Sequence, residues 1–375
     1  MQTADTPFRF YDNRQKYLQF VTTTNEKWKV AERAARELAG LRPEPPALRL
    51  FDAGVGDGTV LAHLMRAMHR RFPTVPFYVV GKEISLEDVR LTLEKLPDRF
   101  MEHPQSVVVI TNLHYAEAPA LEPNTLEKMK RMVFEHVELD GSDSHTFGEQ
   151  LRALDDFMVE NWKVAPSPTS GNPLYVTPAA MVIYRKDHAF ALDQVIPSPD
   201  DRRADFDLIL ASQPWRSRTG PGFKVDRILA PLSRSLRPNG VLLGIQSRGE
   251  DPGLEIVQEI WPGEDPFPVD RHELLRHLRS ALEDELGDYD LMALPEDAST
   301  LTYEMHTLPT EIDNNIGTST LFAAWNAAIY VAQIEDHRVE TAALDGRYID
   351  ATADVLKRHG GLWFNDETFA IRKLS

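Results

Sequence analysis

The pattern of apolar and polar positions predicts alternating strands and helices in the first third of the chain. Three apolar runs are typical of buried strands. They are LRLFDAG, FYVVGKEIS, which includes the loop after the strand, and the β-branched SVVVITN. The segments between them, TVLAHLMRAMHRRF and SLEDVRLTLEKL, have helical spacing. This order implies parallel strands joined by right-handed crossovers. We therefore predict an α/β fold with a doubly wound, mostly parallel sheet.

The sheet pattern is interrupted after the third strand. The next clear strand, FDLILA, begins near Asp207, much later than a crossover of about a dozen residues would allow. The intervening segment predicts helices over 126–139 and 147–162 and a hairpin that turns at 186–187. Strands resume in VLLGIQS, YDLMAL and LTYEMHTL; TSTLFAAWNAAIYVAQI predicts a short helix running into a strand, and LWFNDETFAIRKL predicts a final hairpin.

These patterns divide the chain into four parts. We predict an N-terminal helical cap and linker (1–46), a sheet domain (47–118 and 205–334), an inserted lid or substrate subdomain (119–204), and a C-terminal helix and hairpin (335–375). The insert and the tail explain why 375 residues exceed a typical single domain.

Composition excludes several classes of function. The chain has 41 Lys and Arg against 58 Asp and Glu, a net charge of −17, which disfavours nonspecific nucleic-acid binding. The absence of cysteine excludes thiolate nucleophiles, disulfides and iron–sulfur clusters. No apolar run is long enough for a membrane span, and no secretory signal is visible, so we expect a cytoplasmic protein. Composition leaves a homodimer open.

A glycine-rich turn between the first strand and helix is the strongest candidate site. Asp52 is followed by Gly54, Gly56, Asp57 and Gly58, and glycines here let a ligand approach the backbone at a helix start. The alternative is a tight structural turn. The dinucleotide fingerprint would need glycine at position 59, where the chain has threonine, and no Walker loop is present.

Two further polar residues end neighbouring strands. Glu83 follows the second strand, where a carboxylate can accept both hydroxyls of a ribose. Asn112 ends the third strand, near an adenine or ribose edge. A surface glutamate and a turn-forming asparagine are the structural alternatives.

Taken in order, DAGVGDG, Glu83, Asn112 and FDLILASQPW resemble the motifs of class I S-adenosylmethionine-dependent methyltransferases, which have a Rossmann-like fold. The resemblance covers roughly 47–118 and 205–250. It implies a seven-stranded sheet whose last strand is antiparallel. It also implies a site made by three groups of residues: Asp52 and the glycines around the methionine part of the cofactor, Glu83 at the ribose, and Asn112 and Leu113 at the adenine. Ile84 and Ser212 are further expected cofactor contacts. Tyr11 and Tyr17 of the leading segment would close over S-adenosylmethionine, whose product is S-adenosylhomocysteine.

The sequence Ser212-Gln213-Pro214-Trp215 follows the fourth strand. It is similar to the [DNS]-P-P-[YFW] motif of amino-group methyltransferases, where polar oxygens hold the target nitrogen beside an aromatic ring. Gln213 replaces the first proline, but its amide oxygen can accept from an amine. An aromatic ring also suits a cation. The alternative is a Pro/Trp turn that packs the insert.

Methyl transfer to an ammonium requires a proton acceptor. By topology the candidates are His114, Tyr115, Glu117, Tyr303 and His306, each of which also has a structural alternative. No metal site is predicted, because Arg271-His272-Glu273 begins a near match to H-E-x-x-H whose second histidine comes one position late.

We therefore expect an S-adenosylmethionine-dependent N-methyltransferase that acts on a small-molecule, cationic amine beneath a lid. Three alternatives stay open at the level of sequence: a protein or nucleic-acid amino-methyltransferase, an aminopropyltransferase, and a silent cofactor-binding interaction protein. The acidic charge disfavours the nucleic-acid version.

Overall fold

The computed structural model describes residues 14–167, 173–199, 203–309 and 316–374. Its strands are β1 Leu48–Asp52, β2 Phe77–Lys82, β3 Ser106–Thr111, β4 Val133–Leu139, β5 Val164–Pro166, β6 Pro173–Tyr175, β7 Ala179–Arg185, β8 Phe206–Ser212, β9 Leu236–Ser247, β10 Tyr289–Met292, β11 Thr300–Glu304 and β12 Trp363–Lys373. Its helices are α1 Arg14–Thr23, α2 Glu26–Glu37, α3 Thr59–Arg71, α4 Leu86–Lys95, α5 Pro97–Glu102, α6 Leu126–Arg131, α7 Ser144–Arg152, α8 Asp155–Asn161, α9 Pro221–Lys224, α10 Ala230–Arg234, α11 Pro252–Ile260, α12 Arg271–Ala281, α13 Glu296–Ser299, α14 Thr318–Val331, α15 Asp336–Asp345 and α16 Arg347–His359.

The predicted α/β fold is confirmed by the strand order of the central sheet. The order is β10-β12-β9-β8-β1-β2-β3-β7-β4, with β11 also paired to β12. Strands β3, β2, β1, β8 and β9 are parallel neighbours, and β12 runs antiparallel beside β9. This is a Rossmann-like, doubly wound arrangement whose order reverses at β1.

The sheet has ten strands rather than the expected seven. The insert supplies two of the additional strands, because β7 pairs antiparallel with β3 and β4 pairs parallel with β7. The third is β11, which pairs with the beginning of β12 while β10 pairs with its end. The insert therefore extends the edge of the sheet.

The predicted secondary structure of the insert was wrong in two places. The helix predicted over 126–139 is the short α6 followed by β4, because VFEHVEL alternates as a strand does. The hairpin predicted around 186–187 is β7 followed by a 3-10 turn over Lys186–Leu192. Arg185 pairs there with Asp187, so the chain curls onto the end of β7 and does not return as a strand.

The predicted C-terminal hairpin is the single strand β12. The polar residues Asn365, Asp366 and Glu367 suggested a turn, but they lie within the strand and bond to neighbouring side chains. The segment predicted as a helix followed by a strand is the single helix α14. It packs against α1, α11 and α16. Apolar residues lie on all sides of this helix, so its sequence has no clear amphipathic period.

Successive residues of the central strands point into two different cores. Leu50, Val79 and Val108 pack against α2, α3 and α4 on one face. Their neighbours in sequence pack against α10 and α12 on the other face. A third core joins α1, α11, α14 and α16 to the region of β11 and β12. None of the described helices combines the length and the hydropathy needed to cross a membrane.

Candidate functional site

The site lies where the strand order reverses, at the carboxyl end of β1. In doubly wound sheets this point opens a crevice for ligands. Gly56 and Gly58 have φ values of 56° and 78°, in the left-handed region that glycine adopts readily. A Cβ at Gly58 would lie 2.8 Å from the Cα of Thr92, so the turn packs closely against α4. Gly54 is different, because a Cβ there would meet nothing within 4 Å. The loop is thus tight on one side and open at Gly54.

Glu83 joins the end of β2 to this glycine loop. Its Oε2 accepts from the backbone N–H of Gly56 at 2.9 Å. Its Oε1 accepts from the N–H groups of Ile84 at 2.7 Å and Ser85 at 2.9 Å. The carboxylate is therefore held firmly at the crevice, with its orientation fixed by three backbone donors.

Two aspartates of the loop have different environments. Asp52 is buried, and its Oδ1 accepts from the N–H of Gly54 at 3.2 Å. Burial raises the pKa of Asp52 to about 6, although the Gly54 N–H and Lys27 oppose this shift. Burial also acts on Asp57, but the Thr59 hydroxyl together with Lys27 and Lys95 lowers its pKa overall. Asp57 thus stabilises the start of α3 through Thr59. Asp52 is a buried carboxyl group whose pKa of about 6 lies close to neutral pH.

The leading helix α1 contacts the loop, and closure of Tyr17 over a cofactor stays a prediction. The hydroxyl of Tyr17 accepts from the N–H of Asp57 at 3.2 Å, and it would lie 3.0 Å from a Cβ at Gly56. From α2, the Nζ of Lys27 lies 3.3 Å from the Oε2 of Glu26. Thr24 forms a bridge with Met305, which brings the start of α2 to the same sheet edge. Tyr11 lies outside the described residues.

Asn112 anchors the insert. Its Nδ2 donates to the carbonyls of Asn161 at 3.0 Å and Thr177 at 2.8 Å, and its Oδ1 accepts from Ala179 N–H at 2.9 Å. These bonds use both donors of the side chain, and Leu113 beside it is buried in the core. An adenine at this strand end would therefore meet the backbone. A ligand contact of the Asn112 side chain stays a prediction.

Ser212 and Gln213 end β8 on the other side of the crevice. Ser212 pairs with Ile245 of β9. Gln213 has a φ of 52°, a strained conformation for a residue with a side chain. Its Nε2 donates to both carboxylate oxygens of Asp366 at 3.3 Å, and its Oε1 accepts from the Ser247 hydroxyl at 3.1 Å. Gln213 is thereby aligned with the ends of β9 and β12.

Trp215 packs into the core beneath this motif. Only 5% of the residue is exposed, and its Nε1 donates to Gln246 Oε1 at 3.1 Å. The Nζ of Lys224 lies 5.6 Å from the ring centroid. These contacts correspond to the packing alternative, and a substrate contact of Trp215 stays a prediction.

The candidate proton acceptors lie in different places. Tyr303 is buried beside Phe364, with ring centroids 5.4 Å apart. His306 is exposed and stacks on Trp28 at 5.5 Å. His114 lies at the insert, 4.7 Å from the Tyr175 ring, and burial lowers its pKa. Tyr303 differs from the other two, because the charge that acts most strongly on its pKa is that of Asp366, the residue that bonds to Gln213.

Two other acceptor candidates serve the insert. Glu117 accepts from the N–H of His114 at 3.1 Å and from the Tyr175 hydroxyl at 2.9 Å. The Tyr115 hydroxyl donates to the carbonyl of Pro214 at 2.7 Å. Tyr115 therefore ties the strand that precedes the insert to the SQPW turn.

Sequence reasoning missed three residues of this edge: Glu26, Lys27 and Asp366. Glu26 and Lys27 occur in an ordinary charged helix start, and Asp366 lies in a polar stretch that suggested a turn. Their position depends on the α2–β11 contact and on the placement of β12. The local sequence pattern indicates neither the α2–β11 contact nor the placement of β12.

Comparisons with known proteins give distant similarities only. The chain is 12% identical to YjhP from E. coli, over 91% of this chain and 92% of that one, with a TM-score of 0.33. It is 12% identical to a geranyl diphosphate methyltransferase solved with GPP and sinefungin (92% and 78%, TM-score 0.32). It is also 12% identical to PKMT2 from Rickettsia typhi, solved with AdoHcy (92% and 52%, TM-score 0.31).

No protein-family model and no curated protein sequence matches the chain. Because all three TM-scores lie below 0.5, the fold class rests on the strand order described above. That order and the glycine loop define a Rossmann-like protein with a candidate nucleoside site at β1.

Proposed function

We propose that this protein is an S-adenosylmethionine-dependent methyltransferase that acts on the nitrogen of a small-molecule amine. The observation that carries the proposal is the Glu83 carboxylate, fixed by the Gly56 N–H at 2.9 Å beside a glycine loop that is open at Gly54. Oε2 accepts one of the three backbone bonds and keeps a lone pair for a ribose hydroxyl, the group that a carboxylate after the second strand is suited to bind.

The residues of the crevice offer groups that suit the parts of the cofactor. Glu83 would bind the ribose, and Ile84 and Leu113 would flank the adenine. Asp52 and the loop from Gly54 to Gly58 would surround the methionine part. S-adenosylmethionine supplies an electrophilic methyl group on a positively charged sulfur. The buried Asp52 and the nearby Glu83 favour a positive group over an anion at this point.

The acceptor would lie between this crevice and the end of β8. Ser212 and the backbone of Gln213 offer oxygen atoms that can hold an amine, and the strained φ of Gln213 turns that backbone at the sheet edge. Alignment of the two reacting groups is the main contribution required of the protein. The acidic side chains around Gln213 favour a cationic amine over a phenolate or a carboxylate.

Titration calorimetry with S-adenosylmethionine and S-adenosylhomocysteine tests the proposal, followed by a methyl-transfer screen over amines, amino acids, phenols and peptides with product mass as the readout. We expect saturable binding of both compounds and methylation of amines. Absence of both heat and a thermal shift would remove the cofactor assignment. Binding with transfer only to phenols would retain the cofactor and overturn the amine.

A further inference from the structure

The buried carboxyl group of Asp366 bonds to Gln213, and the buried Tyr303 lies on the neighbouring strand, on the same face of the sheet. Resting on the function proposed above, we propose that Asp366 and Tyr303 form a binding site for the ammonium group of the acceptor. The site takes a primary or secondary ammonium and rejects carboxylate and phosphate groups. Neither residue was selected for this role by the motifs of the sequence.

Tyr303 supplies the first independent observation. It is 1% exposed, and among the described residues its hydroxyl has no hydrogen-bond partner. A buried hydroxyl without a partner is costly, so such a group is rare unless a ligand or water completes it. The sheet places Tyr303 and Asp366 on neighbouring strands: Tyr303 pairs with Phe364, and Asp366 pairs with Leu301. Residues two apart on neighbouring strands share a face, so the two side chains point the same way.

Asp366 supplies the second observation. It is fully buried, and its described hydrogen bonds come from neutral groups, including both 3.3 Å bonds from Gln213 Nε2. Within the part of the chain that the structure describes, no Lys, Arg or His forms an ion pair with this carboxylate. A buried carboxylate normally has a cationic partner. Asp366 therefore has the chemistry of half an ion pair.

Lys27, which follows Glu26 at the start of α2, is engaged elsewhere. Its Nζ lies 3.3 Å from the Oε2 of Glu26. Its charge also opposes the rise that burial causes in the pKa of Asp52, and it helps to lower the pKa of Asp57 at the glycine loop. The Lys27 ammonium thus interacts with the carboxylates of Glu26, Asp52 and Asp57, and it does not neutralise Asp366.

Two acidic groups act on Asp366, namely Glu26 on α2 and Asp251 at the start of α11, and their negative charges disfavour an anion there. Gln213 and Ser247 contribute neutral hydrogen-bond donors. Burial, followed by the Glu26 charge, raises the pKa of Asp366 well above its usual value. The Tyr303 hydroxyl, whose pKa is raised by burial and by Asp366, stays protonated. An incoming ammonium would supply the missing positive charge and donate to both oxygens.

Three probe compounds that differ only in their polar group test this inference: n-butylamine, n-butanol and sodium n-butyrate. Each is added at matched ionic strength to the full chain saturated with S-adenosylhomocysteine, and affinity is measured by calorimetry and thermal shift. We expect n-butylamine to bind more tightly than n-butanol, and butyrate not to bind. In D366N and Y303F we expect the amine affinity to fall about tenfold, the scale of a lost charged hydrogen bond.

A matched variant, Y348F, changes a tyrosine whose ring stacks on Trp325 at 4.2 Å, away from Asp366, and should leave amine binding unchanged. Y303F removes a buried hydroxyl without a described partner, so its melting temperature should not fall, and it decides the question even where D366N does not fold. Equal binding of amine and alcohol, or full amine affinity in Y303F, overturns the ammonium site. Failure of S-adenosylhomocysteine to bind the wild-type chain would instead overturn the proposed function.

Discussion

The Glu83 carboxylate accepts a hydrogen bond from the backbone N–H of Gly56 at 2.9 Å, which connects the end of β2 directly to the glycine loop after β1. The two segments are 27 residues apart in sequence. Because Ile84 and Ser85 donate to the other oxygen, the carboxylate cannot rotate freely. The site therefore has a fixed acceptor at the point where the strand order reverses.

Glu83→Gln should weaken binding of S-adenosylhomocysteine by about 1 to 3 kcal/mol, because the amide has one acceptor oxygen in place of the two that accept from Gly56 and from Ile84 and Ser85, so the glycine loop loses part of its anchor beside the ribose. Calorimetry measures the change. Glu160→Gln alters an exposed glutamate on α8 and should leave affinity unchanged. Equal affinity of the Glu83 variant and wild type would remove Glu83 from the site.

Tyr17→Phe should loosen the leading helix over the loop. The variant removes the hydroxyl that accepts from Asp57 N–H at 3.2 Å and leaves that buried donor unpaired, at a cost of about 1 to 3 kcal/mol. Urea denaturation measures the free energy of unfolding, and hydrogen exchange at Asp57 reports the local opening. Unchanged exchange at Asp57 would show that α1 does not close the loop.

Trp215→Ala should reduce stability by about 3 to 5 kcal/mol, because the indole is buried and its Nε1 bonds to Gln246. Trp28→Ala, at a residue that is 55% exposed, should cost much less. If Trp215→Ala keeps its stability but loses amine binding, the ring contacts the substrate and the packing interpretation is wrong.

His103 should make the protein less stable in acid. Burial lowers its pKa to about 4 from an ordinary value of about 6.5, and its Nδ1 lies 3.0 Å from the Nδ1 of His69. Between these values the unfolded chain binds the extra proton and the folded chain does not, so stability falls as the pH drops from about 6.5 to about 4. The contribution reaches about 3 kcal/mol.

Urea denaturation of wild type and His103→Gln across this pH range measures that contribution. Asp52, whose pKa is raised to about 6, acts in the opposite direction but equally in both proteins. The variant should show a shallower fall in stability on acidification, and His145→Gln, at an exposed histidine, should follow wild type. Parallel curves for His103→Gln and wild type would contradict the assignment.

The parts of the fold that local pattern determines were predictable. Continuous apolar runs predicted β1, β2, β3 and β8, and the glycine loop marked the candidate site between β1 and α3. These features depend on residues close in sequence. Ser85 caps the start of α4 in the same local way, since its hydroxyl accepts from Asp88 N–H at 3.3 Å.

The remaining features depend on contacts between distant segments. Strand β12 was missed because Asp366 and Glu367 are polar, and their partners Gln213 and Arg271 lie far away in sequence. Helix α14 was split because it is apolar on all sides and has no periodic signal. The bonds from Asn112 to the insert depend on the folding of the insert back onto β3, which its local sequence did not indicate, and the ligand contact of Asn112 stays a prediction.

The central claim is that the crevice at β1 binds S-adenosylmethionine. Calorimetric titration of the wild-type chain with S-adenosylhomocysteine, the compound left after methyl transfer, tests it most directly. We predict saturable binding at one site per chain with a rise in melting temperature. No heat and no change in melting temperature at saturating concentration would contradict the account.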